Sequence, residues 1–490
     1  MPVDTQHPDY TPMVDKWQAC RDASAGQEAI HKQEGRYLPR LTEQNDPDYQ
    51  AYLNRTPFYN ATWRTIDGLR GMIFRKPPII SVPPSIEPML QNIDMSGTPF
   101  HMFALDIVEE SLTVGRVGIY TDYPEVAIGL TTLADAKTQN FRPALKIYKA
   151  EEIINWKTTN IGNANILSMV VLSETKKVPK DEFEDNYVPQ WRVLDLFNED
   201  TNGLIYRVRT FEKDIKGDDI LTGTWYPIVN GSYLKEIPFQ FISVDDVSSE
   251  MDNPPLMDLV DMNLSHYKTT ADYEHGCHFT GLPTPVISGY MPENNDSKLS
   301  IGSTSAWVFP NPQAKASYLE FTGTGLKALS DNLTKKENYM AVLGARMLEA
   351  QTKAVEAADT ATIHRTGEQS MLASIAQAVS IGLSISLRFF CQFANANAED
   401  VKVVLNRDFF PAPIDSLKLT AIVAAWQNSA ISYDTMFTNL QLGEVVDIDR
   451  TADEEQAMIK ANPPPLPMAG TTPGSPSPNN PTQTQLQHKP

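Results

Sequence analysis

Between residues 54 and 74, NRTPFYNATWRTIDGLRGMIF places Phe58, Trp63, Ile66, Leu69 and Ile73 on one stripe at spacings of three to five. That period predicts an amphipathic helix packed on a core by its apolar face. Asn60 or Thr62 stands where an N-cap would, and KPP at 76–78 ends the run. The first 80 residues read as helical, with a break near PRLTEQNDPD. FHMFALDIVEESLTV predicts a second helix. VGRVGIYTD predicts a strand, because Val117, Ile119 and Tyr120 suit a pleated, half-buried surface.

From 141 to 245 the pattern changes to short β-rich runs, ILSMVVLSE, QWRVLDLF, GLIYRVRTF and PFQFISV, separated by turn residues and charged loops. The body is therefore α+β. Helical periodicity returns from about Leu256 to Phe279, with Leu256, Leu259, Val260, Asn263, Tyr267, Thr270 and Tyr273 along one face, until Pro283 and Pro285 stop it. Residues 284–322 predict a small β insertion around TPVISGY and SAWVFP, with the polar loop MPENNDSK between them. A further helix follows from about 325, its stripe formed by Leu326, Leu329, Leu333, Met340, Leu343 and Met347.

After the short segment EAQTKAVEAAD comes the longest helical pattern, from about Ala358 to Ala394. Leu372, Ile375, Val379, Leu383, Leu387 and Phe390 form one face; Ser370, Ser374, Gln377, Ser380, Ser384 and Arg388 form another. A continuous helix of that length extends about 55 Å, enough to span an assembly or line a wall. VKVVLNRDFF predicts a strand, and PAPIDSLKL leads into a helical segment ending near Lys460. Residues 462–490 carry no Asp or Glu and are rich in Pro, Thr, Gln and Ser, a composition expected to be disordered.

Composition narrows the classes. With 490 residues, 41% hydrophobic and 21% charged, the chain is long enough for several domains of a soluble globular kind. The N-terminus MPVDTQHPDY has neither a basic leader nor an apolar stretch, so no secretory signal is expected. The uncharged run 371–387 is the best membrane candidate, but its serines and Gln377 argue against a span. Cys20, Cys277 and Cys391 are odd in number and far apart, which fits a reduced compartment rather than a disulfide framework. The net charge of −20 excludes tight gripping of nucleic acid by phosphate neutralisation, but not the enclosure of DNA.

Catalytic signatures are sparse. There is no phosphate-cradling GxxxxGK[ST], no GxSxG, no HExxH and no paired CxxC. One octapeptide does gather potential ligands: DYEHGCHF, with Asp272, Glu274, His275, Cys277 and His278. On one helix Cys277 points about 100° away from His278, so the five groups cannot converge without help, for example from His266. A metal-dependent hydrolase built on His275, His278 and an acid is one alternative; the plainer reading is a polar helix end facing solvent or a neighbour.

The order of parts resembles a tailed-bacteriophage portal protein. YLPRLTEQNDPDYQAYLNRTPFYN with TIDGLRGMIFRKPP resembles the N-terminal wing of a portal-like family known from phages and prophages. AVLGARMLEAQTKAVEAADTAT resembles that family's passage from second stem helix to tunnel helix. The resemblance covers about residues 10–460 and implies an α+β portal fold assembled as a ring. Its parts would be a wing over 1–251, stem helix 1 over 252–282, a clip over 283–322 and stem helix 2 over 323–346. A tunnel loop over 347–358, a tunnel helix over 359–394, a wing strand over 395–412 and a crown over 413–461 would follow, then the 462–490 tail.

Portal proteins form a dodecameric ring at one capsid vertex, through which double-stranded DNA is packaged and ejected. The resemblance thus implies a structural homo-oligomer without catalysis, cofactor, metal or membrane. Implied partners are the large terminase subunit, a head–tail adaptor, the major capsid protein, a scaffolding protein, and DNA passing without sequence specificity. The implied location is the virion, with the host cytoplasm during assembly. Gln351, Thr352 and Lys353 would be the tunnel-loop groups that touch DNA. For Lys353 a solvated surface position, or an intersubunit ion pair with Glu349 or Glu356, is the plain alternative. Glu293, Asn294, Asn295, Asp296 and Lys298 would form the clip docking loop, and Asp272, Glu274 and His275 would contact neighbouring subunits or the adaptor. An adaptor or tail ring component is the other structural alternative.

Overall fold

The computed structural model describes residues 2–123, 141–199, 203–281, 284–288, 313, 315–319, 323–348, 370–409, 416–443, 445–446 and 450–461. The chain divides into two compact units, Met1–Phe410 and Pro411–Pro490.

Helix α1 (Thr11–Ala25) buries Trp17 completely, and α2 (Gln27–Lys32) follows it. Helix α3 (Asp46–Arg55) begins where the Asn45 side chain accepts from Asp48 N. In α4 (Ala61–Ile73) the expected stripe is seated: Ile66, Leu69 and Ile73 are buried. Asn60 is its cap, accepting from Trp63 N, while Thr62 is spent elsewhere, on Asn263. Trp63 is the exception to the stripe; it stays half-buried under the Arg70 guanidinium.

The segment before α1 departs from the helical expectation. Val3 N donates to Asp219, Lys213 pairs with Asp4 at 2.9 Å, and Asn155 donates to Thr5 O. His7 N bonds Ile154 O, and the His7 ring stacks on Trp156 at 3.9 Å. Polar side chains of distant strands thus hold these residues across a sheet, a pairing that leaves no local periodicity.

That sheet is a five-stranded antiparallel meander in chain order: β4 (Ile153–Ile161), β5 (Ala164–Pro179), β6 (Asp185–Glu199), β7 (Gly203–Lys213) and β8 (Asp219–Trp225). The inner halves carry Val170, Leu172, Leu194, Tyr206 and Val208, all fully buried. The outer halves run on well past the short apolar motifs. There exposed cross-strand ion pairs, Lys176–Glu212 and Lys177–Asp185, border residues with no core to face, so hydropathy alone does not reveal them.

Helix α5 (Phe100–Val114) buries Phe103, Ile107, Val108 and Leu112, sets Glu109 and Glu110 in ion pairs with Arg70 and Arg21, and ends at Gly115, whose φ of 75° and close approach to Asn253 O favour glycine. β2 (Val117–Asp122) then takes the centre of a three-stranded antiparallel sheet between β11 (Phe239–Ile242) and β3 (Ala144–Lys149). Against it lies a helix described from Met371 to Phe393, here called α8; Leu372, Ile375, Val379, Leu383, Leu387 and Phe390 are all buried. Gly382 is where α8 meets β11 most closely: a Cβ there would stand 2.5 Å from Ile242 Cγ1.

The described part of α8 starts at Met371, where Ser370 is extended (φ −82°, ψ 157°) and its hydroxyl accepts from Ala373 N as an N-cap; residues 359–369 of the expected helix lie outside the described residues. The serine face of the helix supplies hydrogen-bond acceptors to a neighbouring strand. Ser384 Oγ accepts from Val403 N at 2.9 Å and Ser380 Oγ from Leu405 N at 3.0 Å, so helix hydroxyls satisfy one edge of β14 (Lys402–Val404). The other edge of β14 pairs antiparallel with β1 (Ile79–Ser81). Among the described residues Met371–Phe393 is long and apolar enough to cross a membrane by length and composition, and its apolar face is buried inside the fold.

In the second unit, three helices span Ser416–Gln427, Tyr433–Leu442 and Ala452–Ala461. Met436 and Phe437 are buried, and Tyr433 stacks near Phe437 and meets the Trp426 ring edge-on.

Candidate functional site on the paired long helices

Helix α6 (Met257–Gly281, 25 residues) and helix α7 (Thr324–Arg346, 23 residues) pack side by side. The residues linking them form a hairpin in which β12 (Thr284–Ser288) runs antiparallel to β13 (Lys315–Leu319), Ser288 opposite Lys315. Residues 289–314 therefore leave and return at one place. The far end of α7 behaves likewise: Leu372 N, in the first turn of α8, donates to Met347 O at 3.1 Å. Two excursions are thus closed at opposite ends of a rod that α7 makes about 34 Å long.

Gln351, Thr352 and Lys353 belong to the second excursion and Glu293, Asn294, Asn295, Asp296 and Lys298 to the first; both sets lie outside the described residues.

The rod is anchored through α6. Its buried Asn263 accepts from Thr62 N and Thr62 Oγ1 and donates to Tyr59 O at 2.8 Å, fixing the start of α4. Tyr267 is fully buried against Phe58 and His31. On the other side Lys336 of α7 donates to Ser265 O and Ser265 Oγ, both at 2.9 Å, and to Thr269 Oγ1 at 2.6 Å. Burial holds its ammonium below the usual lysine range. Lys336 continues the 326, 329, 333 spacing toward Met340, and a lysine on an apolar stripe is the signal the sequence carries for this contact.

The octapeptide 272–279 sits near the hairpin end of α6. Asp272 accepts from the Tyr52 hydroxyl at 3.0 Å, and burial together with Asp272 raises the Tyr52 phenol well above its ordinary value. His275 packs edge-on to Tyr52 and Phe279, at 5.2 and 4.6 Å between centroids. Its Nδ1 is buried without a hydrogen-bond partner; burial first, then Arg55 and His278, lowers its pKa. Glu274 is half-buried and His278 is exposed. Gly276 allows α7 to approach: a Cβ there would stand 2.5 Å from Leu326 Cδ2. The geometry therefore ties Asp272 and His275 to Tyr52 of the same chain. Among the described residues no three His, Cys, Asp or Glu side chains gather to hold a metal ion.

Beyond Met340, the described residues of α7 are half-buried or exposed, and its outer face presents Tyr339 (57% exposed) and Val342 (50%). A separate open groove of about 610 Å³ lies between α8 and β14, lined by Gln377, Ile381, Arg388, Asp400, Lys402 and Arg407 among others.

No curated protein matches this chain. Solved structures that overlap it include a chain in the neck of an empty gene transfer agent particle computed with C6 symmetry. That overlap has 9% identity and a TM-score of 0.37, covering 86% of this chain and 99% of the other. A chain in the virion of the native particle overlaps at 9% identity and a TM-score of 0.36, covering 85% and 98%. Residues 255–394 match the model of a family described as a domain of unknown function (DUF4055), a stretch that opens just before α6 and closes at the C-cap of α8.

Proposed function

We propose that this chain is a portal-type subunit. Copies would form a ring at one vertex of a phage-like capsid, and double-stranded DNA would enter and leave through the centre. The observation that carries the proposal is the helical rod with a closed excursion at each end. Such a rod can hold one loop set toward a passing polymer and another toward docking proteins, about 34 Å apart, without either disturbing the core. The exposed Tyr339 and Val342 give α7 an outer face that a neighbouring subunit would cover. The net charge of −20 per chain suits a conduit, because an acidic wall repels phosphate and lets DNA slide.

In this reading Lys353, with Gln351 and Thr352, supplies weak sequence-independent phosphate contacts. The 293–298 loop meets the terminase and then the adaptor, and Asp272, Glu274 and His275 border a neighbouring subunit, Asp272 and His275 also bracing the rod on Tyr52. Negative-stain imaging of the purified full-length chain tests the proposal. A ring of about twelve copies with a central channel is expected. A stable monomer carrying stoichiometric zinc would overturn it, and a ring that binds a portal vertex only from outside would assign the chain to the adaptors.

A further inference from the structure

His266 lies on α6 with 5% of its side chain exposed, facing α7. Thr270 Oγ1 stands 3.0 Å from His266 O, to which it donates, and 3.3 Å from His266 Nδ1. With the hydroxyl proton spent on the carbonyl, Oγ1 can only accept from the ring, so the neutral imidazole carries its proton on Nδ1. Nε2 then presents a lone pair. It is buried, makes no hydrogen bond among the described residues, and faces Glu337 Oε1 of α7 at 3.5 Å.

We propose that His266 and Glu337 form an acid-operated clasp between the two long helices. Protonation turns a contact of lone pair against carboxylate into a charge-assisted hydrogen bond across the α6–α7 seam. The other groups around the ring are accounted for. Lys336 of α7, one residue away and pinned on Ser265 and Thr269, opposes the new charge. Tyr59, in the turn before α4, offers its ring at 5.7 Å, with Arg64 over the ring's plane at 5.3 Å.

The clasp closes at a cost to the fold as a whole. Burial, the largest influence, holds the folded imidazole below 6.5, against the upward pull of Glu337. The unfolded chain therefore takes up the proton more readily, and stability falls as pH drops from 6.5 toward the folded value, while the seam bond forms in the molecules that remain folded.

The proposal concerns a lone subunit as much as a ring, so it can fail independently of the portal reading. The test is the thermal midpoint of the full chain from pH 7.5 to 5 for the wild type, His266→Gln, Glu337→Gln and the double variant. His7 and His275, also held low by burial, titrate equally in all four. His266→Gln should lose less on acidification, by up to about tenfold in the folding equilibrium constant per pH unit. Glu337→Gln should lose more than wild type, because the ring loses the carboxylate that favours its protonation, and the double variant should match His266→Gln. Glu337 is about half exposed, so its variant will fold even if the buried one does not. A Glu337→Gln curve parallel to wild type would overturn the proposal.

Discussion

The amide of Leu372 donates to the carbonyl of Met347 at 3.1 Å, so the chain leaves α7 and starts α8 at the same point. The body thus brings together the two ends of the 349–369 stretch. Changing a side chain within it should leave the body's stability alone. Lys353→Ala should accordingly form the same oligomer with an unchanged melting point, yet alter the length of DNA packaged or its retention. Unchanged packaging and retention would remove Lys353 from the proposed DNA-facing role.

Ser384 is a strand partner supplied by a helix. With Ser384→Ala, Val403 N–H loses its acceptor at a buried position, so a loss of about 1–3 kcal/mol is expected in chemical denaturation. Amide exchange at Val403 should speed up with it. Exchange as slow as in the wild type would mean that another acceptor serves this edge.

Tyr52 and Asp272 join α3 to α6, and a double-mutant cycle with Tyr52→Phe and Asp272→Asn measures the link. Because Asp272 is exposed, the coupling should be modest, about 0.5–1.5 kcal/mol. A coupling of zero would leave Asp272 free for the intersubunit role alone.

Gly382→Ala sets two effects against each other. Alanine favours a helix by up to about 1 kcal/mol over glycine. The new methyl, however, would stand 2.5 Å from Ile242 Cγ1 in a packed core, where overfilling costs about 1–3 kcal/mol. Net destabilisation is expected, and Gly382→Ala with Ile242→Ala should cost less than the two single changes added together.

Where side-chain period mirrored burial, the sequence was legible. Ile66, Leu69 and Ile73 of α4 and the Leu372-to-Phe390 face of α8 sit buried as their spacing predicts. The α+β character and the helix, hairpin, helix order also follow from local pattern. Illegible were the features made by partners distant in the chain: the Val3–His7 strap, the exposed outer halves of β5 and β6, and the hydroxyls that finish the edge of β14. The octapeptide is the clearest case. Its composition suggested a metal site, and its neighbours in space, Tyr52 and Leu326, turned it into a brace.

What the sequence by itself determined is which faces are apolar and where helices and strands alternate, because burial and backbone geometry impose periods of 3.6 and 2 on neighbouring residues. Only the tertiary structure decided what each polar group on those faces does. A hydrogen bond or ion pair across a fold is set by which elements meet, and the separation of 71 positions between Ser265 and Lys336 leaves no local trace of that meeting.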